Sequence, residues 1–307
     1  MGDPLPRLRL AVVVPFLNEA QFLPRLLASI ERQTHAPDEL VLVDDGSTDG
    51  STALAAAFAA ACPYARLIIS PPRPAQADRL AAAGELRAFQ QAVPTLVDYD
   101  VVAKLDADLE LNPRHFESSV RALAADGRLG IVGPHLSTVA RDGSVARDPT
   151  PPWHVRGATK FYRRECYEAI QPIPVHLGWD MVDEVKARSS GWRTMSIDLV
   201  GADTLHLRPT GAHDGRLRAF RRWGECAWGY GAHPLFALLG GVKRLAWRPY
   251  VVGGVLYAAG YFLAALAGLP RAEPAVRASL RREERKQVRE LLAAAVRPGR
   301  APAATRP

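Results

Sequence analysis

Along the first hundred residues, short apolar runs alternate with amphipathic stretches. "RLAVVVPF" predicts a buried strand, after which Leu23, Leu26, Leu27 and Ile30 recur at helical spacing. Asn18 and Gln21 have the spacing of a capping box that would start this helix. "ELVLVDDG" predicts a second strand, Ser51 to Cys62 an alanine-rich helix, and "ARLIIS" a third strand. A Pro-rich loop, "PPRPAQADR", leads to a helical pattern over 80–93 and a further strand in "YDVVAKLDADLELNP". Strands that alternate with helices imply a mostly parallel, three-layer α/β sheet. In such sheets ligands collect at the carboxyl ends of the strands. Two of the predicted strands end in carboxylates, one in Asp44 and Asp45, the other in Asp106 and Asp108.

After Asn112 the pattern gives a helix, a strand in "LGIVGPH" and a Gly/Pro/Asp-rich loop to about Pro152. Between 153 and 210 the aromatic and charged runs are too short to order. From about Ala232 the chain turns apolar. "YVVGGVLYAAGYFLAALAGL", residues 250–269, carries no charge for twenty positions, about the length that crosses a bilayer. The expected organisation is an α/β domain over 1–212 and a helical, membrane-associating region over 213–307, ending in a basic, partly disordered tail.

Charge sharpens this division. The net charge is +7, but the segment from Arg271 onward holds ten Lys or Arg against four Glu, so the first 270 residues are nearly neutral. A uniformly basic nucleic-acid face is excluded, and no nucleic-acid partner is expected. Arg216, Arg218, Arg221, Arg222, Lys243, Arg244 and Arg248 precede the apolar stretch and the basic tail follows it. Positive charge on both sides places both flanks at the cytoplasmic face of the membrane. The stretch between them then lies in one leaflet or re-enters it; a single span, the remaining alternative, would put the flanks on opposite faces. The three cysteines are odd in number and lack metal-ligand spacing, which fits a reducing compartment. "LAVVVPFL" is interrupted by Pro15 and reads as a strand rather than a signal peptide.

The acids carry the candidate chemistry. Asp106 and Asp108, one residue apart at a strand end, can reach a hard divalent cation and the phosphate oxygens chelated to it. "DDGSTDG" at 44–50 reads as a strand-to-helix turn, with Gly46 permitting the backbone and Ser47, Thr48 or Asp49 capping the next helix. Asp45, Ser47, Asp49 and Gly50 also have EF-hand offsets. The position that needs a bidentate Glu holds Ala56, so a calcium loop is rejected.

"VVVPFLNEAQFLPRLLASIERQ", "ELVLVDDGSTDGS" and "VVAKLDADLELNP", in this order and spacing, resemble the family 2 glycosyltransferases with the GT-A fold. The resemblance covers roughly residues 8–210. It implies a Rossmann-like three-layer sheet, followed in this chain by the C-terminal apolar helical extension, and a nucleotide-sugar donor, with UDP the most frequent nucleotide. It also implies a divalent cation, Mg2+ or Mn2+, and transfer with inversion. By position, Pro15, Asn18 and Glu19 would line the nucleotide pocket, Asp45 would accept from the base, and Asp106 would contact ribose or sugar. Asp108 would bind the metal, with His206 as a further metal or diphosphate contact and Arg208 as an alternative one. Arg79 and Arg87 are candidate phosphate partners.

"HLGWDMVDEVKARSSGWRT" resembles the segment that supplies the base for the acceptor hydroxyl. Asp180 falls at that place, with Asp183 and Glu184 as competitors, and the family's usual Glu-Asp pair reads Trp179-Asp180 here. A second departure is Gln90 and Gln91, which stand where relatives carry a Gly-rich, Asn-containing loop. Lys160, Arg163 and Arg164 match the acceptor side loosely. The implied activity is a hexosyl-type transfer to a saccharide or lipid-linked acceptor, in cell-envelope polysaccharide or glycolipid synthesis. The rivals are an inactive membrane-associated scaffold and a sugar-phosphate nucleotidyltransferase. The latter needs a Gly-rich, Arg-containing loop where this chain has "PFLNEAQF".

Overall fold

The computed structural model describes residues 6–71, 83–140, 142–208 and 215–296. Arg79 and the basic tail from 297 onward lie outside the described residues. In chain order the elements are β1 (Leu10–Phe16), α1 (Leu23–Glu31), β2 (Glu39–Asp44), α2 (Ser51–Ala61), β3 (Ala65–Ile69), α3 (Gly84–Ala92), β4 (Val101–Leu105) and β5 (Leu109–Glu110). Then follow α4 (His115–Ala125), β6 (Leu129–Pro134), β7 (Leu136–Val139), β8 (Val145–Arg147), β9 (Thr159–Arg163), α5 (Arg164–Ala169), α6 (Trp179–Ser189), β10 (Arg193–Ile197) and β11 (Thr204–His206). The chain closes with α7 (Arg216–Tyr230), α8 (Pro234–Arg244), α9 (Val252–Leu266) and α10 (Pro274–Val296). Two compact units result, Met1–Ala219 and Phe220–Pro307.

The first unit is built on a seven-stranded sheet in the order β10-β6-β9-β4-β1-β2-β3. Only β9 runs antiparallel to its neighbours; the other pairs are parallel. All seven residues of β1 are buried, because a central strand is covered on both faces. Val12, Val14 and Phe16 pack with Leu23, Leu26, Leu27 and Ile30 of α1, and Ala11 and Val13 with Leu86 and Phe89 of α3. The two-residue period of the strand thus feeds two apolar layers. β2 and β4 flank β1, so the chain that leaves all three strands emerges at one edge of the sheet.

The capping box at Asn18 and Gln21 is not formed. Helix α1 starts at Leu23 after Phe22, with Pro24 in its first turn and no side-chain cap. Asn18 instead adopts a left-handed backbone, φ 54°, and turns its side chain toward the β2–α2 loop. The stretch 153–210 supplies β9, α5, α6, β10 and β11. Its strands are only three to five residues long, which is why no periodicity marked them. A second, four-stranded sheet, β5-β11-β7-β8, pairs His206 with Leu109 and so brings the end of β11 beside Asp108.

In the second unit α8 and α9 form an antiparallel pair at backbone contact distance. A Cβ on Gly254 would stand 2.4 Å from the Gly241 carbonyl oxygen. One on Gly260 would stand 2.0 Å from that of Arg221, so neither helix could close on its neighbour with a larger residue. Of the three arrangements open to 250–269, the single span is corrected. Pro249 and Tyr250 lie outside the helix, and α9 has 15 residues. At 1.5 Å per residue that is about 22 Å, short of a hydrocarbon core of about 30 Å. Among the described residues, no helix is long and apolar enough to cross a membrane.

Candidate active site

The loops after β1 and β2 are laced together by the "DDGSTDG" turn. Asp44 is buried and acts inward: its Oδ1 accepts from the Gly46 and Ser47 amides at 3.0 and 2.7 Å, and its Oδ2 from the Thr52 hydroxyl. Gly46 and Gly50 hold φ of 95° and 92°, which a side chain would strain. The far side of the turn grips the other loop. The Asn18 amide donates to Ser47 Oγ at 3.0 Å, Thr48 N donates to Asn18 Oδ1 at 2.7 Å, and Glu19 N donates to Ser51 Oγ at 2.8 Å. Pro15, in β1, is in register with Val43, and the Asp45 amide donates to the Phe16 carbonyl at 2.9 Å. Pro15, Asn18, Glu19 and Asp45 therefore share one rim.

The next strand over contributes the acids. Asp106 and Asp108 follow β4, and with His206 they place one ligand atom each within 4.8 Å of one another. His206 Nε2 lies 3.2 Å from Asp108 Oδ2, and Arg208 Nε lies 2.6 Å from the same oxygen. The Arg208 guanidinium also reaches Glu19, which ties the β1 loop to this cluster. Burial of Asp108 opposes ionisation, but His206 and Arg208 outweigh it and hold the carboxyl at about 2. Glu19 goes the other way: its burial, opposed by Arg208 and reinforced by Asp108 and Asp106, raises it to about 7.

The cluster suits a divalent cation on two observations. Two carboxylates and an imidazole form an oxygen-rich donor set of the kind Mn2+ accepts. Among the described residues, buried His206 Nδ1 and Glu19 Oε2 have no hydrogen-bond partner, so the group has coordinating capacity to spare.

Beneath the acids lies a buried charged platform. Lys104, 1% exposed, sits two residues before Asp106 on the same strand face; its Nζ pairs with Asp106 Oδ1 and donates to the Gly157 carbonyl at 3.0 Å. Both Lys104 and Lys160 place Nζ over the Trp179 ring, at 5.3 and 5.6 Å. The Trp179 indole donates to Glu85 Oε1 of α3 at 3.2 Å, and burial raises the Glu85 carboxyl against the pull of Lys104.

The three competing acids of α6 separate by depth. Asp183 and Glu184 are fully buried: Lys160 Nζ donates to Asp183 at 2.8 and 2.9 Å and to Glu184 at 3.1 Å, while the Tyr162 hydroxyl donates to Asp183 at 2.6 Å. Asp183 is thus occupied by Lys160 and Tyr162. Asp180, in the first turn of α6, is half-buried, and a Cβ on Gly157 would stand 3.2 Å from its Oδ2. Gly157 therefore connects Asp180 to Lys104 and Asp106.

Other expected residues have structural partners. Gln90 donates to the Ile173 carbonyl at 2.9 Å, and Gln91 accepts from Ser70 at 3.3 Å. Arg163 serves the carbonyls of Leu123, Asp126 and Leu129, and Arg164 pairs with Glu168 at the surface. Arg87 lies half-buried on α3. Lys104 and Glu85 were missed from sequence, and Trp179 was noted only as a departure from the family's Glu-Asp pair. The available signal was a lysine inside the otherwise apolar strand "VVAKL".

Residues 11–171 match the family model described as Glycosyl transferase family 2. An uncharacterized glycosyltransferase of Mycobacterium tuberculosis is 28% identical over 200 residues, 61% of this chain and 83% of that protein. The undecaprenyl-phosphate 4-deoxy-4-formamido-L-arabinose transferase of Pseudomonas syringae is 36% identical over 129 residues, 40% of this chain and 35% of its own length. Among solved structures, a mannosyltransferase from Pyrobaculum calidifontis, in complex with GDP-Man and Mn2+, aligns with a TM-score of 0.53 at 18% identity. That alignment covers 93% of this chain and 82% of the other. At that identity the likeness concerns the fold, a GT-A-type mixed α/β sheet.

Proposed function

The chain belongs to glycosyl transferase family 2, and from that premise we propose that it moves a sugar from a nucleoside-diphosphate donor to an acceptor hydroxyl, with inversion and with a divalent cation. The observation that carries this reading is the convergence of Asp106, Asp108 and His206 at the edge where the β1 and β2 loops meet. Asp106, Asp108 and His206 would hold Mg2+ or Mn2+, which when bound offsets the charge on the departing diphosphate. Asn18, Glu19 and Asp45 would hold the nucleoside, with Pro15 shaping the wall beside them. Asp180 would take the proton of the acceptor hydroxyl as that oxygen bonds to the anomeric carbon, and the nucleoside diphosphate would depart from the opposite face. Asp183 supports this step from below by fixing Lys160 under α6.

A nucleotide with a uracil base is the first donor to try, with the guanine nucleotide second. The acceptor is a saccharide or a lipid-linked sugar of cell-envelope synthesis, met at the cytoplasmic face of the membrane by a peripheral enzyme. Calorimetric titration of UDP and GDP with and without Mn2+ tests the core of the proposal. Metal-dependent nucleotide binding, followed by turnover in a nucleotide-sugar screen, is expected. An inactive scaffold would bind neither nucleotide in either condition, and that result would discard the enzyme reading.

A further inference from the structure

Twelve of the nineteen large apolar side chains that stand exposed among the described residues fall between 235 and 269, a concentration that sets the second unit apart. On α8 they are Leu235, Leu238, Leu239 and Val242, a spacing of three, four and seven that draws one stripe along the helix. On α9 the exposed stripe includes Val252, Val255, Phe262 and Leu266, while the opposite face is spent on packing within the unit. Each helix therefore has two apolar faces, only one of which is covered. Isolated exposed leucines need no explanation, but a patch of this extent on a paired helix does.

Charge identifies the occupant. From Cys226 to Ala272 the sequence contains no Asp or Glu, and its four cations are Lys243, Arg244, Arg248 and Arg271. Lys243 and Arg248 are exposed where α8 turns toward α9. Beside them Arg248 Nε donates to the exposed Tyr250 hydroxyl at 3.3 Å, and Trp247 is half-buried in the same bend. A second copy placed face to face would bring these cations together with no carboxylate from 226–272 opposite them. An anionic lipid surface supplies the missing negative charge at the rim and hydrocarbon for the stripes, and amphipathic aromatic rings favour that boundary. α9 is too short to span, so insertion stops within one leaflet.

We propose that the outer faces of α8 and α9 are a monotopic docking surface that enters one leaflet of a bilayer rich in anionic phospholipid. This rests on the peripheral-membrane part of the proposed function and assigns it to a surface. It does not depend on the transfer chemistry.

The test is co-sedimentation of the full chain with vesicles of phosphatidylcholine alone and of phosphatidylcholine with one quarter phosphatidylglycerol. The wild type is expected in the pellet with the anionic vesicles and to partition at least about tenfold less into the neutral ones. The Leu239→Glu/Val255→Glu double variant is expected to stay in the supernatant with both, with an unchanged circular dichroism spectrum and melting temperature. Both side chains are more than half exposed, so the fold loses little with them. Lys243→Gln and Arg248→Gln should each weaken binding to anionic vesicles about fivefold. If the wild type pellets and the double variant pellets equally, this surface is not the anchor, although the membrane reading stands. If the wild type pellets with neither vesicle, both fall. A double variant that converts a dimer to a monomer without changing vesicle binding assigns the face to a second copy and overturns the proposal.

Discussion

Arg208 Nε lies 2.6 Å from Asp108 Oδ2, so the carboxylate best placed to hold a metal is already neutralised by a guanidinium. A divalent cation must compete with that pair. Replacing Arg208 with Gln should therefore tighten Mn2+ binding to the nucleotide-free protein, by about tenfold for a charge-assisted contact of this kind. The same change should weaken Mn2+-dependent UDP binding if the released guanidinium moves to the diphosphate. Electron paramagnetic resonance of free Mn2+ measures the first effect and calorimetry the second. Equal Mn2+ affinity in variant and wild type would show that Arg208 does not compete.

Asp108→Asn removes the charge and keeps the shape. It should lower transfer by roughly 10³-fold and abolish the difference between nucleotide titrations with and without Mn2+. Because Arg208 and His206 both lean on Asp108, the melting temperature should also move, so binding must be read at a temperature where the variant is folded. Full activity in this variant would remove Asp108 from the metal site.

The sheet was legible because β1, β2 and β4 are apolar runs whose polar punctuation coincides with their ends. The D-x-D pair and the "DDGSTDG" turn were visible for the same reason. The rank of the acids on α6 was not. Asp180, Asp183 and Glu184 stand at i, i+3 and i+4, which puts all three on one side of a helix and leaves only depth to separate them. Depth is set by Lys160 and Tyr162 of β9, an antiparallel strand of five residues with a lysine in it, which no pattern of hydrophobicity reveals. Asn18 was visible as a polar residue before a helix, but its role as a clasp on Thr48 depends on a residue thirty positions away.

That depth difference yields opposite expectations for two neighbouring carboxylates. Asp180→Asn should cut kcat by about 10²–10⁴-fold, the range for loss of a general base, with the donor dissociation constant and melting temperature nearly unchanged. Asp183→Asn leaves Lys160 with one fewer counter-charge in the interior and should destabilise the fold by about 3 kcal/mol. Thermal denaturation beside steady-state kinetics separates the two. If Asp180→Asn melts far below wild type and Asp183→Asn does not, their roles have been exchanged.

His115 gives the fold its own pH signature. The ring is fully buried, with Nδ1 2.6 Å from Thr204 Oγ1 and Nε2 2.8 Å from Thr159 Oγ1. Burial lowers its pKa from 6.5 to about 3, so the folded protein keeps the imidazole neutral where the unfolded chain protonates it. Between these values the unfolded state binds the extra proton. Stability from this residue is complete above about pH 6.5 and falls as pH drops toward about 3, by roughly 1.4 kcal/mol per unit in the middle of that window. A His115→Gln variant keeps a donor and an acceptor but cannot titrate. It should be less stable than wild type at pH 7.5, and the gap should narrow at pH 5. Other groups titrate in both proteins and cancel in the difference, so the comparison isolates this ring. Urea midpoints at the two pH values measure the gap. A gap that stays constant would mean that His115 takes up its proton equally in the folded and unfolded states, so that burial does not lower it.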